Sequence, residues 1–211
     1  MVSTFRLMKL RTGGIKMFNV ALIDCPWMYE PLMQHTNRAE NRYSLMDTAR
    51  LQALDIKSLL STPGAAFVWA TSPKLHEAIK CIESWGLHYR GVAYVWVKTR
   101  KDGGIINGQG VRPTYTKPTT EYLLLATTNK TGRPFKLYKE GQKQVVLHGR
   151  GAHSEKPEEI RKLILEQTGG QLQYVELFAR QKVEGWTCVG NEITGNEIEE
   201  DIALLTGKRY N

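Results

Sequence analysis

At 211 residues, with 41% hydrophobic and 24% charged side chains, the chain is long enough to bury one substantial core and too balanced in composition for a disordered polymer. No apolar run approaches the ~20 residues of a membrane-crossing helix, and Met1 to Lys16 lacks the apolar centre and cleavage site of a secretory signal. A formal charge of +8 and a pI near 9.4 point to a polyanionic partner, while three widely spaced cysteines (Cys25, Cys81, Cys188) form neither a disulfide framework nor a zinc pattern and suit a reducing, cytoplasmic compartment.

Residues 1–17 carry Arg6, Lys9, Arg11 and Lys16 around Gly13-Gly14 without periodicity and read as a loosely held basic arm; Met1 and Met17 both stand as starts. From 18 to 211 the pattern is that of a single domain. Phe18 to Ile23 is an apolar run of strand length that delivers Asp24, Cys25, Pro26 and Trp27 to its C-terminal end, the place where open α/β sheets bind ligands. Pro26 fixes its own φ and keeps Cys25 extended, so the Asp24 carboxylate and the Cys25 carbonyl are expected side by side, next to an exposed Trp27. Two acceptors and a flat ring suit a planar base that carries an exocyclic amine. Met28 to Tyr43 is too polar and irregular for a core element and reads as a functional loop.

Leu51, Leu54, Ile56, Leu59 and Leu60 predict a short helix ending before Pro63-Gly64, and Ala65–Ala70 a second buried strand. Ser72 and Pro73 have the chemistry of an N-cap and a first helical position, with Leu75, Ala78, Ile79 and Ile82 as the buried face. Tyr89–Val97 predicts a third strand with Val92, Tyr94 and Trp96 on one face and Ala93, Val95 and Val97 on the other, hence cover on both sides. Thr120–Thr127 is a fourth strand with Glu121 at its start, Val145–Leu147 a short fifth, and Tyr174–Arg180 a sixth. A helix opens around Pro157-Glu158-Glu159 and stops at Gly169-Gly170, and the tail from Thr194 fits a terminal helix. Strands alternating with helices give an α/β fold with a mostly parallel sheet and helices on both faces. Gly-Asn-Glu-Ile occurs at 190–193 and again at 195–198, too briefly for a repeat architecture.

Two segments concentrate charge. Residues 98–118 hold Lys98, Arg100, Lys101, Arg112 and Lys117; residues 129–144 hold Lys130, Arg133, Lys136, Lys139 and Lys143, interleaved with Phe135 and Tyr138. Both follow strands expected to end on the catalytic side, and such a composition grips a phosphate backbone and stacks on bases. The histidines at 35, 76, 88 and 148 show no metal-ligand spacing, so no metal is expected.

Asp24-Cys25-Pro26-Trp27, Tyr43-Ser44-Leu45-Met46, Phe67-Val68-Trp69-Ala70-Thr71, Trp96-Val97-Lys98-Thr99, His153-Ser154 with Lys156-Pro157-Glu158-Glu159, Glu176-Leu177-Phe178-Ala179-Arg180 and Gly190-Asn191-Glu192 resemble, in this order, the motifs of the MT-A70 family of N6-adenine methyltransferases. The resemblance implies a Rossmann-like fold using S-adenosylmethionine, with the catalytic motif ahead of the main cofactor motif. It implies Asp24, Ser154, Lys156, Phe178, Arg180, Asn191 and Glu192 at the cofactor, and Tyr43 and Glu121 near the acceptor nucleoside. Cys25 departs from the family's proline but keeps the carbonyl that the motif uses. The expected reaction is methyl transfer to the N6 amine of adenine, with Asp24 and the Cys25 carbonyl accepting the amine hydrogens and Trp27 stacking on the base. DNA is favoured over RNA as the partner, with a homodimer left open. The competing readings are an RNA adenosine methyltransferase, a non-catalytic nucleic-acid-binding subunit of the same fold, and a methyltransferase for a small molecule or protein.

Overall fold

Alternation from Val20 to Ile23 sends Val20 and Leu22 to one face and Ala21 and Ile23 to the other, all of them buried, and this makes β1 (Phe18–Ile23) a strand covered on both sides. The structure is a computed structural model and describes residues 17–29, 45–108, 116–151 and 155–208. The basic arm, the loop containing Tyr43, Arg112 and Tyr115, and Ser154 lie outside the described residues.

Seven strands form one sheet in the order β5-β3-β4-β2-β1-β6-β7. They are β1, β2 (Leu60–Thr71), β3 (His88–Thr99), β4 (Thr120–Thr127), β5 (Val145–Gly149), β6 (Tyr174–Leu177) and β7 (Thr187–Val189). β4 pairs antiparallel with both β2 and β3, whereas every other pairing is parallel. The sheet is therefore mostly parallel, with helices on both faces, as a Rossmann-like methyltransferase requires. α1 (Thr48–Gln52), α2 (Leu75–Ser84) and α5 (Ile198–Thr206) cover one face through Leu51, Ala78, Ile82, Ile198 and Ile202; α3 (Glu158–Thr168) covers the other through Ile160 and Ile164. Each such buried leucine or isoleucine side chain contributes roughly 1.5–3 kcal/mol. The short α4 (Asn191–Thr194) follows β7.

Several local expectations shift. The helix expected from Leu51 to Leu60 is two pieces: α1, capped by Asp47 accepting from the Arg50 amide at 2.7 Å, and a 3-10 turn at Ile56–Leu59. β2 starts at Leu60 and carries Pro63-Gly64 within it, because Ser61 and Thr128 side chains satisfy backbone groups there that the ladder leaves open. Ser72 is not an N-cap; it opens a 3-10 turn, Ser72–Lys74, that runs into α2. Register shifts in β3 between Val92 and Tyr94 put Val92 against one core and Tyr94 and Trp96 against the other, so these three do not share a face. β7, three residues long between Trp186 and Gly190, has no periodic signal in the sequence.

Candidate active site

The parallel strands raise their C-terminal ends to one edge of the sheet, and β4 begins there. Ile23 pairs with Val68 and Leu177, and Leu177 with Val189, so the residues after β1, β6 and β7 emerge side by side. Glu121 lies between Thr71 on β2 and Trp96 on β3. Asp24, Glu121, Phe178, Arg180, Asn191 and Glu192 are thereby gathered from four strands, with Lys156 supplied by the segment that enters α3.

At the centre is a row of alternating charges. Lys156 Nζ lies 2.8 Å from Asp24 Oδ2 and 3.5 Å from Glu121 Oε2, and Lys98 Nζ donates to Glu121 Oε1 at 2.6 Å. Lys156 also sits 5.7 Å from the centre of the Trp69 ring, and Lys98 4.9 Å from that of Trp96, so each ammonium rests on an indole face. Burial alone would push the Lys156 ammonium down, but the Asp24 and Glu121 carboxylates outweigh it and hold its pKa above the ordinary lysine value. Burial would likewise raise Glu121, and the charges of Lys156 and Lys98 reverse this, leaving it below the usual carboxylate range. Both groups are charged throughout the neutral range. Arg180 Nε lies 3.7 Å from Glu192 Oε1 at the same edge.

The tight corner after β1 differs from expectation. The Trp27 amide donates to the Cys25 carbonyl at 2.9 Å, so that oxygen is turned back into the corner and retains one lone pair. Trp27 and Met46 then bridge in parallel, with Met46 N–H donating to Pro26 O at 2.9 Å. The Trp27 indole is only 6% exposed, packed in the core with Nε1 donating to Trp69 O at 3.4 Å. The ring is thus buried where exposure was expected: a hydrophobic indole beside β2 gains more by filling the core than by facing water. Cys25 is buried too, and burial first, then Cys81 and Asp24, pushes its thiol well up, so it stays protonated and carries no nucleophilic role.

Asp24 opens onto a cleft of about 590 Å³, part of it open to solvent, lined by Asp24, Pro26, Met46, Phe178, Arg180 and Glu192 among others. Phe178 takes φ of +60°, the one described non-glycine residue with positive φ, which ends β6 sharply and turns the chain into this cleft. Gly190, at φ +146°, packs so closely that a Cβ would meet Phe178 Cα and Ala179 N at 3.0 Å. The two chain reversals, after β6 and after β7, are thus fitted to each other beside the cleft. An aromatic ring, carboxylates, an asparagine amide and neighbouring cations form a donor and acceptor set that fits an amino-acid nucleoside such as S-adenosylmethionine.

Sequence reasoning missed Met46, Asn196, Glu197 and Ile198, which also line the cleft. The duplicated Gly-Asn-Glu-Ile was the available signal for the last three. The basic loops part company. Lys98, Arg100 and Lys101 lie at the site edge, with Arg100 tied to Asp102 at 3.0 Å in a turn closed by the Thr99–Ile105 bridge. Arg133 and Lys136 do not lie there. Because β4 runs antiparallel, it ends with Thr127 at the opposite edge, about 20 Å from the level of Glu121 at ~3.4 Å per residue, and the loop from 129 leaves from there. Arg133 there pairs with Glu140 at 3.0 Å, and Lys139 with Glu166 near the C-terminal end of α3 at 2.5 Å. Among the described residues no group of three or more His, Cys, Asp or Glu could hold a metal ion, and no helix is long and apolar enough to cross a membrane.

Comparison with known proteins bears on this geometry. The MT-A70 family model matches residues 18–192. The Type II methyltransferase M.MunI of Mycoplasma sp is 31% identical, across 87% of this chain and 81% of its own length. The N(6)-adenine-specific methyltransferase METTL4 of Homo sapiens is 27% identical across 91% of this chain, which spans 41% of that relative.

Proposed function

We propose the machinery of a reaction whose class the family fixes: the chain belongs to the MT-A70 family. It is an S-adenosylmethionine-dependent methyltransferase for the N6 amine of adenine, and DNA is the nucleic acid we assign to it. The observation that carries the residue assignments is the Asp24 carboxylate, placed at the C-terminal end of β1, facing the cleft and fixed on one oxygen by Lys156 at 2.8 Å.

S-adenosylmethionine supplies an electrophilic methyl carbon on a sulfonium. The adenine amine is conjugated with its ring and nucleophilic only when its lone pair is directed, so this chain's task is alignment and fixed electrostatics. Asp24 Oδ1, the oxygen that Lys156 leaves, accepts one amine hydrogen, and the remaining lone pair of the Cys25 carbonyl accepts the other. Glu121 stands at the acceptor side and keeps Lys156 charged. Lys156 neutralises Asp24 in the absence of substrate and offers its ammonium to the methionine carboxylate. Phe178, Arg180, Asn191 and Glu192 hold the rest of the methyl donor. Arg100 and Lys101 contact phosphates next to the target, and a target in duplex is flipped out at a cost of roughly a few kcal/mol. Ser154 and Tyr43 keep the roles implied by the resemblance, and Arg112 the phosphate-contacting role read from the basic composition of residues 98–118. Trp27 braces the corner from the core.

Incubation with labelled S-adenosylmethionine and, separately, DNA and RNA oligonucleotides, followed by nucleoside mass spectrometry, tests this. N6-methyladenine is expected from DNA, with kcat lower by about 10²–10³ in Asp24→Ala, as when a fixed hydrogen-bonding group in an active site is lost. Equal product from the variant would remove Asp24 from the chemistry; product on RNA alone would reassign the substrate.

A further inference from the structure

The short duplication at the end of the chain has a spatial counterpart. Gly190–Ile193 and Gly195–Ile198 are the same four residues, and the family match ends at 192, inside the first copy. Both copies nevertheless reach one cleft: Asn191 and Glu192 line it from the first, and Asn196, Glu197 and Ile198 from the second. Gly195, at φ +79°, reverses the chain at the end of α4, its amide donating to Asn191 O at 3.0 Å, and this brings the second copy back to the site.

We propose that the second copy is an additional binding segment for the nucleoside end of the methyl donor, with Asn196 and Glu197 accepting hydrogen bonds from its hydroxyl and amine groups; this rests on the donor site described above. Two fixed contacts support it. Arg50 on α1 binds Glu197 Oε2 at 2.6 Å and Glu199 at 2.6 and 2.9 Å, which holds the start of α5 against the side of the cleft that Met46 lines and leaves Glu197 Oε1 as an acceptor. Asp201, 2% exposed, takes the Asn196 amide nitrogen at 3.0 Å, so the side-chain oxygen of Asn196 is the atom left for a ligand.

The chemistry selects the nucleoside end. The cation suited to the donor's carboxylate, Lys156, stands beside β1, whereas the second copy follows β7, two strand spacings of ~4.8 Å away. The second copy presents two oxygen acceptors and the apolar Ile198, and its nearby cation, Arg50, is committed to two carboxylates. Ribose hydroxyls and an adenine amine are donors on a flat, partly apolar body.

Isothermal titration calorimetry of the full chain with S-adenosylmethionine, S-adenosylhomocysteine and 5′-methylthioadenosine decides the matter, since the last keeps the nucleoside and lacks the amino acid. Glu197→Ala is expected to weaken all three by a common factor of about ten, the loss of one hydrogen bond to a charged group. Glu197→Gln, which keeps an acceptor oxygen, recovers part of it; thermal melts confirm that each variant is folded, and Glu197→Gln against wild type carries the comparison should Glu197→Ala not fold. Unchanged affinities would falsify the proposal, as would a loss for S-adenosylhomocysteine that 5′-methylthioadenosine does not share. Failure of the wild type to bind any of the three would instead sink the donor site itself.

Discussion

Glu121 shows how much a single residue's setting decides. In the sequence it is an acid at the start of a strand; in the fold it is 8% exposed and accepts from two lysines, the ion pairs that keep it charged. Its lowered pKa has a definite sign. The stability it contributes is full above the ordinary glutamate range and is lost as pH falls through the lowered value. Lys156, raised, contributes below the ordinary lysine value and loses it only at higher pH. Urea unfolding of wild type and Glu121→Gln is therefore expected to show a gap at neutral pH that closes in acid; a gap independent of pH would contradict this. Asp24 was legible because a carboxylate after an apolar strand is unusual and its place at the sheet edge follows from the strand. The surroundings of Trp27 were not legible, because whether an indole meets a ligand or a core depends on which strand lies beside it.

At the scale of elements, α3 and β6 are joined by a pair that no periodicity announced. Arg161 on α3 donates to Glu176 on β6 at 2.6 and 2.8 Å, both largely buried. Burial would lower the arginine pKa, and the Glu176 carboxylate outweighs it and raises it. Removing one partner strands a buried charge, so Arg161→Ala is expected to cost about 3–5 kcal/mol in denaturant unfolding. A cost under ~1 kcal/mol would mean that Glu176 finds another partner or water. Strand and helix existence was readable from period 2 and the 3.6-residue stripe, as in β1 and α2. What failed lay in short or irregular pieces: β7, the broken helix before β2, and the shift inside β3 that separates Val92 from Tyr94.

Over the whole molecule, the basic charge divides between the two edges of the sheet. The expectation that both loops meet the substrate assumed that β4 runs with its neighbours, and its reversal removes residues 129–144 from the catalytic edge. Arg100→Ala/Lys101→Ala is thus expected to raise KM on a short DNA duplex severalfold and to flatten the fall of affinity with salt by up to ~1.8, about 0.9 for each phosphate that is no longer neutralised. Arg133→Ala/Lys136→Ala should shift the same KM less. Larger effects from the second pair would place the short duplex across the far edge.

The sequence by itself determined the α/β class, the carboxylate after β1, the family and hence the reaction, because each depends on local pattern or on ordered motifs along the chain. The tertiary structure alone decided strand direction, which residues share the cleft, and which charges neutralise one another. Those depend on pairings between residues far apart in the chain, such as Lys156 with Asp24 or Arg50 with Glu197, and a pairing across the fold leaves no periodic trace in either segment.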